Sequence, residues 1–242
     1  MHSRLEYDTI HFSPLVFTMT NKIPRFNLFN AQVQAFHRNA VEKGFYEAYP
    51  TLESRDDREY RTSRANLITS EISEAYEAFR KGKIQTAGTR AAIFAMEFLA
   101  QFDPSRAGEP DQITVDEFIN LYNSFVKGTM AEELADVYIR VCDAVGGFGM
   151  RKLNEADDFE ELVNIKLENL LYQNDGNQAL FWACLHIIDE RIHWRAPMYK
   201  EIATWVAAAY ALANRFEIDI QTHVRIKAIY NTYRGYKHGK DF

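Results

Sequence analysis

Two pairs of acidic residues have the spacing that places side chains next to each other on a helix. Glu71 and Glu74 lie in the stretch LITSEISEAYEAFRKG. Glu133 and Asp136 lie in the stretch AEELADVYIRVCDAV. Residues three apart on a helix have Cβ atoms about 5–6 Å apart. If the two helices pack antiparallel, the four carboxylates converge on one place.

Each acidic pair borders an apolar arc that repeats with the helical period. In the first stretch Glu71 lies about 60° from the centre of the arc and Glu74 lies at its edge. In the second stretch we expect Glu132 and Asp143 to point away from the arc. An acid beside a buried surface is costly unless its charge is compensated. The arcs consist of Ile68, Ile72, Ala75 and Phe79 in the first stretch, and of Leu134, Val137, Tyr138, Val141 and Val145 in the second.

Converging carboxylates are typical of a site for a divalent cation. Like charges at this range repel and raise each other's pKa unless cations lie among them. Carboxylate oxygens suit Mg²⁺, which commonly bridges substrate phosphates, and Mn²⁺ is a substitute. Either pair alone would be explained by a solvated helix edge, but two such pairs favour a metal site.

A cationic stripe near the C-terminus suits phosphate. Lys227, Asn231 and Arg234 follow one another at i, i+4 and i+7, and the tail adds Lys237 and His238. Lysine and arginine are the common partners of phosphate oxygens. A basic helix end also complements the helix dipole, but beside a carboxylate cluster the stripe predicts a phosphate site.

The remaining sequence predicts an all-α fold in one domain, 1–242. Only HFSPLVFTM has the composition of a strand, and the clearest loops are 103–112, 146–149 and 173–177. An apolar run at 202–214 should be buried in the core or between subunits. The predicted helices are 28–44, 61–81, 87–101, 114–126, 130–146, 158–173, 178–193, 198–214 and 219–234.

The composition excludes several function classes. The formal net charge of −6 over 242 residues argues against a general nucleic-acid binder. The sequence contains no run of eighteen apolar residues, so it predicts no membrane span. The N-terminal stretch does not resemble a secretory signal. The two cysteines, Cys142 and Cys184, lie in apolar helical segments and are expected to be buried free thiols. A cytoplasmic location is therefore expected.

Together these motifs resemble the MazG-like all-α NTP pyrophosphatase superfamily, which includes dimeric dUTPases and dCTP pyrophosphatases. The pattern E-x-x-E, spacer, E-x-x-D is joined upstream by NAVEKGFYEAY and downstream by KAIYNTYRGYKHGKDF. The resemblance implies a helical bundle with added helices near 84–128 and 150–215. It implies that Mg²⁺ is bound by four acids, namely Glu71, Glu74, Glu133 and Asp136.

The resemblance also implies a reaction, hydrolysis of a nucleoside triphosphate to the monophosphate and pyrophosphate. Glu74, in preference to Glu71, would accept the proton of the attacking water. Lys227 and Arg234 would stabilise phosphoryl charge, and Asn231 would fix a phosphate or the sugar. The resemblance also leads us to expect a homo-oligomer, with a dimer favoured. It leads us to expect a pyrimidine deoxynucleotide or a non-standard nucleotide as the substrate.

The resemblance implies that the nucleotide base is recognised by residues in the stretch NAVEKGFYEAY and just before it. His37 is the candidate for contact with the base, although an ordinary surface histidine with its hydrogen bonds satisfied explains it equally well. Phe45 and Tyr46 occupy positions where relatives present aromatic groups, but packing is the better explanation of both residues.

The chain departs from the family pattern, and other functions stay open. Ser70 stands where the family often has a further acid, and the spacer between the acidic pairs is unusually long. A relative that binds nucleotides without turnover is one alternative. A carboxylate-bridged di-iron bundle is another, but it needs two E-x-x-H motifs, and the chain has one, at Glu190 and His193.

Overall fold

The structure, a computed structural model, describes residues 23, 25–56, 58–84, 90–106, 113–149, 158–192 and 199–234. Over these residues it consists of α-helices, two short 3-10 helices and connecting turns, without a β-strand, which confirms the all-α prediction. Every predicted helix is present with ends that differ by a few residues. The predicted strand HFSPLVFTM lies outside the described residues. The helices are α1 (Phe26–Glu42), α2 (Arg58–Arg80), α3 (Arg90–Gln101), α4 (Val115–Phe125), α5 (Met130–Gly147), α6 (Phe159–Gln173), α7 (Asn177–Ile192), α8 (Tyr199–Arg215) and α9 (Ile220–Thr232).

Helix α5 is the central element of the main core. It packs against α1, α2, α8 and α9, and most of its side chains are buried. Helix α8 is buried along almost its whole length, where it packs against α5, α6 and α7. The apolar run at 202–214 therefore lies in the core of this chain, one of the two places expected for it. Cys142 and Cys184 are buried and free, as the sequence indicated.

Helices α2 and α5 run antiparallel, which determines where their polar side chains meet. Arg64 in the first half of α2 pairs with Asp143 near the end of α5. Further along α2, Glu74 approaches Glu133, near the start of α5. The antiparallel arrangement is the condition under which the sequence analysis expected the two acidic pairs to converge.

A second, smaller core joins α3, α4 and α9. Its fully buried side chains are Leu99, Phe102, Phe118, Tyr122, Val126 and Ile226. The helices are also tied by Arg225 of α9, which donates hydrogen bonds to the carbonyls of Ala100 and Phe102. Helix α4 begins at a capping box in which Thr114 and Glu117 satisfy each other's backbone N–H groups. The segment near 84–128 that the family resemblance marks as added thus packs against the helix that carries the cationic stripe.

The predicted loop at 146–149 is partly wrong, because Gly146 and Gly147 are the last residues of α5. A Cβ atom built on Gly147 would lie 1.9 Å from the hydroxyl oxygen of Tyr60 and 2.8 Å from that of Tyr46. Glycine is needed at this last position of the helix for the close approach of two tyrosines.

Among the described helices, none is both long enough and apolar enough to span a membrane.

Candidate functional site

Three of the four predicted acids form one cluster between α2 and α5. Glu71, Glu74 and Glu133 each present a carboxylate oxygen, and these oxygens lie within 4.8 Å of one another. Glu71 is mostly buried, with a side chain 12% exposed. Glu133 is half-buried and Glu74 is exposed. The cluster therefore has an inner wall closed by the protein and an outer edge open to solvent.

The surroundings of this cluster disfavour the ionised form of two of its glutamates. Burial, followed by the charge of Asp136, raises the pKa of Glu71 to about 7, although the nearby Arg140 opposes the rise. Burial also raises the pKa of Glu133 to about 8, with Glu132 and Asp136 adding to the effect. A cation in the cluster would oppose both shifts, because a nearby positive charge favours the ionised carboxylate.

Asp136, the fourth predicted acid, lies beside the cluster and is held by a lysine. Its Oδ2 is 2.6 Å from Nζ of Lys227, and its side chain is 15% exposed. Asp136 is close enough to Glu71 to raise the pKa of that carboxyl. The structure thus brings all four acids into one region, but three of them form the close group and the fourth binds the cationic stripe directly.

Glu132 was expected to point away from the buried arc, and this prediction is wrong. Its side chain is buried and accepts hydrogen bonds from Lys227 Nζ at 2.5 Å, Tyr122 Oη at 2.6 Å and the backbone N–H of Gly128. Burial lowers the pKa of Lys227, but Asp136 and Glu132 outweigh burial and raise it. Lys227 is therefore a charged, buried ammonium group shared between two carboxylates.

Asn231 follows Lys227 on α9, whereas Arg234 lies two residues beyond the end of this helix. Asn231 is buried, and within the described part of the chain its Oδ1 has no hydrogen-bond partner. Arg234 is half-buried, and its guanidinium lies 5.9 Å from the centre of the Tyr230 ring. The predicted contributions of Lys237 and His238 lie outside the described residues.

Arg140 is a residue of the site that the sequence analysis missed. Its Nε donates a hydrogen bond to Oε1 of Glu71 at 3.1 Å. Burial lowers the pKa of Arg140, but Glu71, followed by Asp136 and Asp143, outweighs burial and raises it. The signal was available in the spacing, because Arg140 stands four residues after Asp136 and so shares its helix face.

The prediction that Asp143 points away from the core is also wrong. Asp143 is buried, and its Oδ1 accepts a hydrogen bond from Tyr46 Oη at 2.7 Å and lies 3.1 Å from Nδ1 of His37. Its Oδ2 lies 3.4 Å from Nη1 of Arg64. The four side chains form a second polar cluster, which we call the Asp143 cluster.

Further aromatic and cationic groups enclose the Asp143 cluster. The guanidinium of Arg55 lies 4.5 Å from the centre of the Tyr46 ring, and Tyr60 Oη donates a hydrogen bond to Tyr46 Oη at 3.2 Å. Tyr46 is buried, which agrees with the packing interpretation of that residue. At 1.5 Å per residue, Asp143 lies about 10 Å along α5 from Asp136. Helix α5 thus contributes Glu133 and Asp136 to the acidic group near its start, and Asp143 to a group with His37, Tyr46 and Arg64 near its end.

The di-iron alternative receives no support from the acidic cluster. Within the described residues the group of potential metal ligands consists of three glutamates and includes no histidine. The side chain of Glu190 and the whole of His193 lie outside the described residues.

Comparison with known proteins identifies no relative of the chain. No protein-family model matches it, and no curated protein or solved structure is detectably similar. The chain can therefore be classified only by the geometry of its fold and site. It is an all-α protein in which carboxylates from two antiparallel helices meet beside a buried lysine.

Proposed function

We propose that the chain is a Mg²⁺-dependent nucleoside triphosphate pyrophosphohydrolase of the MazG-like kind. It would convert a nucleoside triphosphate and water to the monophosphate and pyrophosphate. The observation that carries the proposal is the group of three carboxylate oxygens, within 4.8 Å of one another, on two antiparallel helices. Lys227, on a third helix, is held beside this group by Asp136.

The side chains of the cluster suit Mg²⁺ in the type of ligand atom and in charge. They offer hard oxygen donors, which this ion prefers, and a solvent-exposed edge at Glu74 through which phosphates can approach. Burial and neighbouring acids raise the pKa values of Glu71 and Glu133, and a bound cation would offset this effect by favouring the ionised carboxylates. Bound there, Mg²⁺ would neutralise phosphate oxygens and lower the pKa of a water ligand.

The surroundings of the two glutamates of α2 suggest different roles. Glu71 is fixed by Arg140, so that its carboxylate keeps one orientation toward the cluster. Glu74 is exposed and accepts a hydrogen bond of 3.3 Å from the Ser70 hydroxyl. Its carboxylate is free to turn toward a water molecule, and we assign it the role of proton acceptor.

The cationic stripe on α9 would receive the phosphates. Lys227 has three N–H donors, of which two are engaged by Glu132 and Asp136, and the third is available to a phosphoryl oxygen. Arg234 would add a second positive charge to stabilise the transition state. Asn231 has a buried carbonyl oxygen without a partner among the described residues, and such an acceptor suits a sugar hydroxyl.

The substrate and the assembly follow from the family resemblance and are proposals of the same kind. We favour a pyrimidine deoxynucleotide or a non-standard nucleotide as substrate and a homodimer as the assembly. His37 is the candidate for contact with the base. It lies beside Asp143, which is about 10 Å along α5 from Asp136. Relative turnover across a nucleotide panel tests the first proposal, and sedimentation equilibrium tests the second.

The experiment that tests the proposed reaction is a panel of nucleoside triphosphates with Mg²⁺, scored for pyrophosphate and for single phosphate. We expect pyrophosphate release, reduced at least about 100-fold by Glu74→Gln and by Asp136→Asn. Glu77→Gln, at an exposed position of the same helix, is the matched control and should keep wild-type turnover. Wild-type turnover in both site variants, or single phosphate as the product, would refute the proposal.

A further inference from the structure

The two carboxylates that hold Lys227 differ in their surroundings. Glu132 is 4% exposed and accepts two further hydrogen bonds, from Tyr122 Oη and from the backbone N–H of Gly128. Asp136 is more exposed and borders the three-glutamate cluster. Glu132 is therefore fixed in place, whereas Asp136 faces the position where a cation would bind.

The fixed position of Glu132 depends on α4. Tyr122 is fully buried, and its ring stacks on Tyr230 of α9, with ring centres 3.9 Å apart and planes inclined by 11°. Gly128, in the turn between α4 and α5, has a φ of 73°, a conformation that glycine adopts without strain. The turn directs the N–H of Gly128 at Glu132, and the stacked ring directs the hydroxyl of Tyr122 at the same carboxylate.

We propose that Tyr122 and Glu132 are positioning residues that retain Lys227 at the site while Asp136 exchanges Lys227 for a divalent cation. This inference rests on the proposed function for the identity of the ligand that Lys227 then meets, a phosphate oxygen. It gives α4, part of the segment that the family resemblance marks as added, a role in preparing the site.

The physical reason is the competition between two cations for one carboxylate. A divalent ion at the glutamate cluster attracts Asp136 and repels the ammonium group of Lys227. Without a second anion, Lys227 would either stay on Asp136 and oppose the ion or leave the buried site. Glu132 removes this conflict, because it keeps a full charge-assisted hydrogen bond to Lys227 when Asp136 turns away.

The test is the affinity of nucleotide-free protein for Mn²⁺, measured from the free-ion signal in electron paramagnetic resonance. In Glu132→Gln, Lys227 is left to Asp136, and we expect the dissociation constant for Mn²⁺ to rise about tenfold. Tyr122→Phe keeps the ring but loses the hydroxyl, and we expect a rise of about threefold. Tyr230→Phe is the control, because it removes a hydroxyl that makes no hydrogen bond to Glu132 in the described structure. This variant should leave Mn²⁺ affinity unchanged.

A double variant separates competition by Lys227 from the simple loss of a negative charge. In Glu132→Gln with Lys227→Met, nothing contests Asp136, so we expect Mn²⁺ affinity to return to within about threefold of wild type. If the effect of Glu132 were only its charge, the double variant would stay as weak as Glu132→Gln. That result, or unchanged Mn²⁺ affinity in both Glu132→Gln and Tyr122→Phe, would overturn the inference.

The outcomes for the inference and for the proposed function can be distinguished. Absence of pyrophosphate release by the wild-type protein, together with the expected Mn²⁺ pattern, would refute only the reaction. Pyrophosphate release with Mn²⁺ affinities that do not respond to Glu132 or Tyr122 would refute only the positioning role. A wild-type protein that does not bind Mn²⁺ would refute both. If Glu132→Gln does not fold, Tyr122→Phe decides the question.

Discussion

Arg140 Nε lies 3.1 Å from Oε1 of Glu71, so that a guanidinium on α5 compensates the acid that α2 places beside the core. Both side chains are largely buried. Removal of one member of such a pair leaves a buried charge without its partner, which is more costly than removal of both.

The first prediction concerns this ion pair. Arg140→Gln should lower the free energy of unfolding by about 2 kcal/mol, because Glu71 then lacks its partner. The double variant with Glu71→Gln should recover most of this loss. Urea unfolding in the absence of divalent cations measures both effects. A loss below about 0.5 kcal/mol in the single variant would contradict the assigned pairing.

The second prediction concerns the pH dependence of the cation-free protein. Burial and neighbouring acids raise the pKa of Glu133 to about 8, above its ordinary value of 4.5. The folded state therefore binds a proton more tightly than the unfolded state, and stability decreases as the pH rises through the window from about 5 to 8. We expect wild type to lose about 2 kcal/mol relative to Glu133→Gln across this window.

Thermal unfolding of the two proteins from pH 5 to pH 9 measures this difference. Titrating groups that do not interact with Glu133 cancel in the comparison, because they are present in both proteins. Saturating Mg²⁺ should reduce the difference at high pH, since a bound cation favours the ionised carboxylate. A wild-type protein that gains stability relative to the variant with rising pH would contradict the charge balance of the site.

The third prediction concerns Asp143, the buried acceptor of the cluster that contains His37. Asp143→Asn should destabilise the protein by about 2 kcal/mol, because it removes the anionic partner of Arg64, which is itself buried. Asp158→Asn is the matched control, since Asp158 is exposed and makes no side-chain capping bond. Equal stability of the two variants in urea would show that the Asp143 cluster does not stabilise the fold.

The fourth prediction concerns the glycines at the end of α5. Gly147→Ala should destabilise the protein by about 2 kcal/mol or more, because its Cβ atom would meet the Tyr60 hydroxyl at 1.9 Å. Gly176→Ala is the control, since the nearest atom to its Cβ lies 3.9 Å away, an ordinary contact. Thermal unfolding ranks the two variants. The prediction fails if Gly147→Ala is as stable as the control.

The helices and the meeting of the acids could be predicted because both depend on local spacing. The 3.6-residue period of the apolar side chains in α2 identified its buried face, and Glu74 lies at the edge of that face with Glu71 nearer its centre. Once the two motif helices pack antiparallel, the positions of Glu74 and Glu133 follow from the register. Local patterns thus determined the elements and the main features of the acidic cluster.

The predictions for Glu132 and Asp143 failed because a helical wheel assumes a single buried face. Helix α5 is covered from several sides, by α1, α2, α8 and α9, so that polar residues away from the main apolar arc are buried as well. The partners of these two acids, Lys227 and the pair His37 and Arg64, come from helices distant in sequence. Their contacts are determined by tertiary packing, which cannot be inferred from the spacing of residues within α5.

Gly147 was assigned to a loop because glycine commonly marks a break in a helix. In the structure, the reason for glycine is the approach of Tyr60 and Tyr46 to the helix backbone. Such a contact between distant segments leaves no periodic signal in the sequence.

The central claim is that acids from α2 and α5 bind divalent ions together. Crystals soaked with Mn²⁺ test it most directly, through anomalous difference density collected above the manganese absorption edge. We predict a peak about 2 Å from carboxylate oxygens of Glu71, Glu74 and Glu133, and its loss in Glu133→Gln. Density at another place, or no peak at these three residues in crystals saturated with Mn²⁺, would contradict the claim.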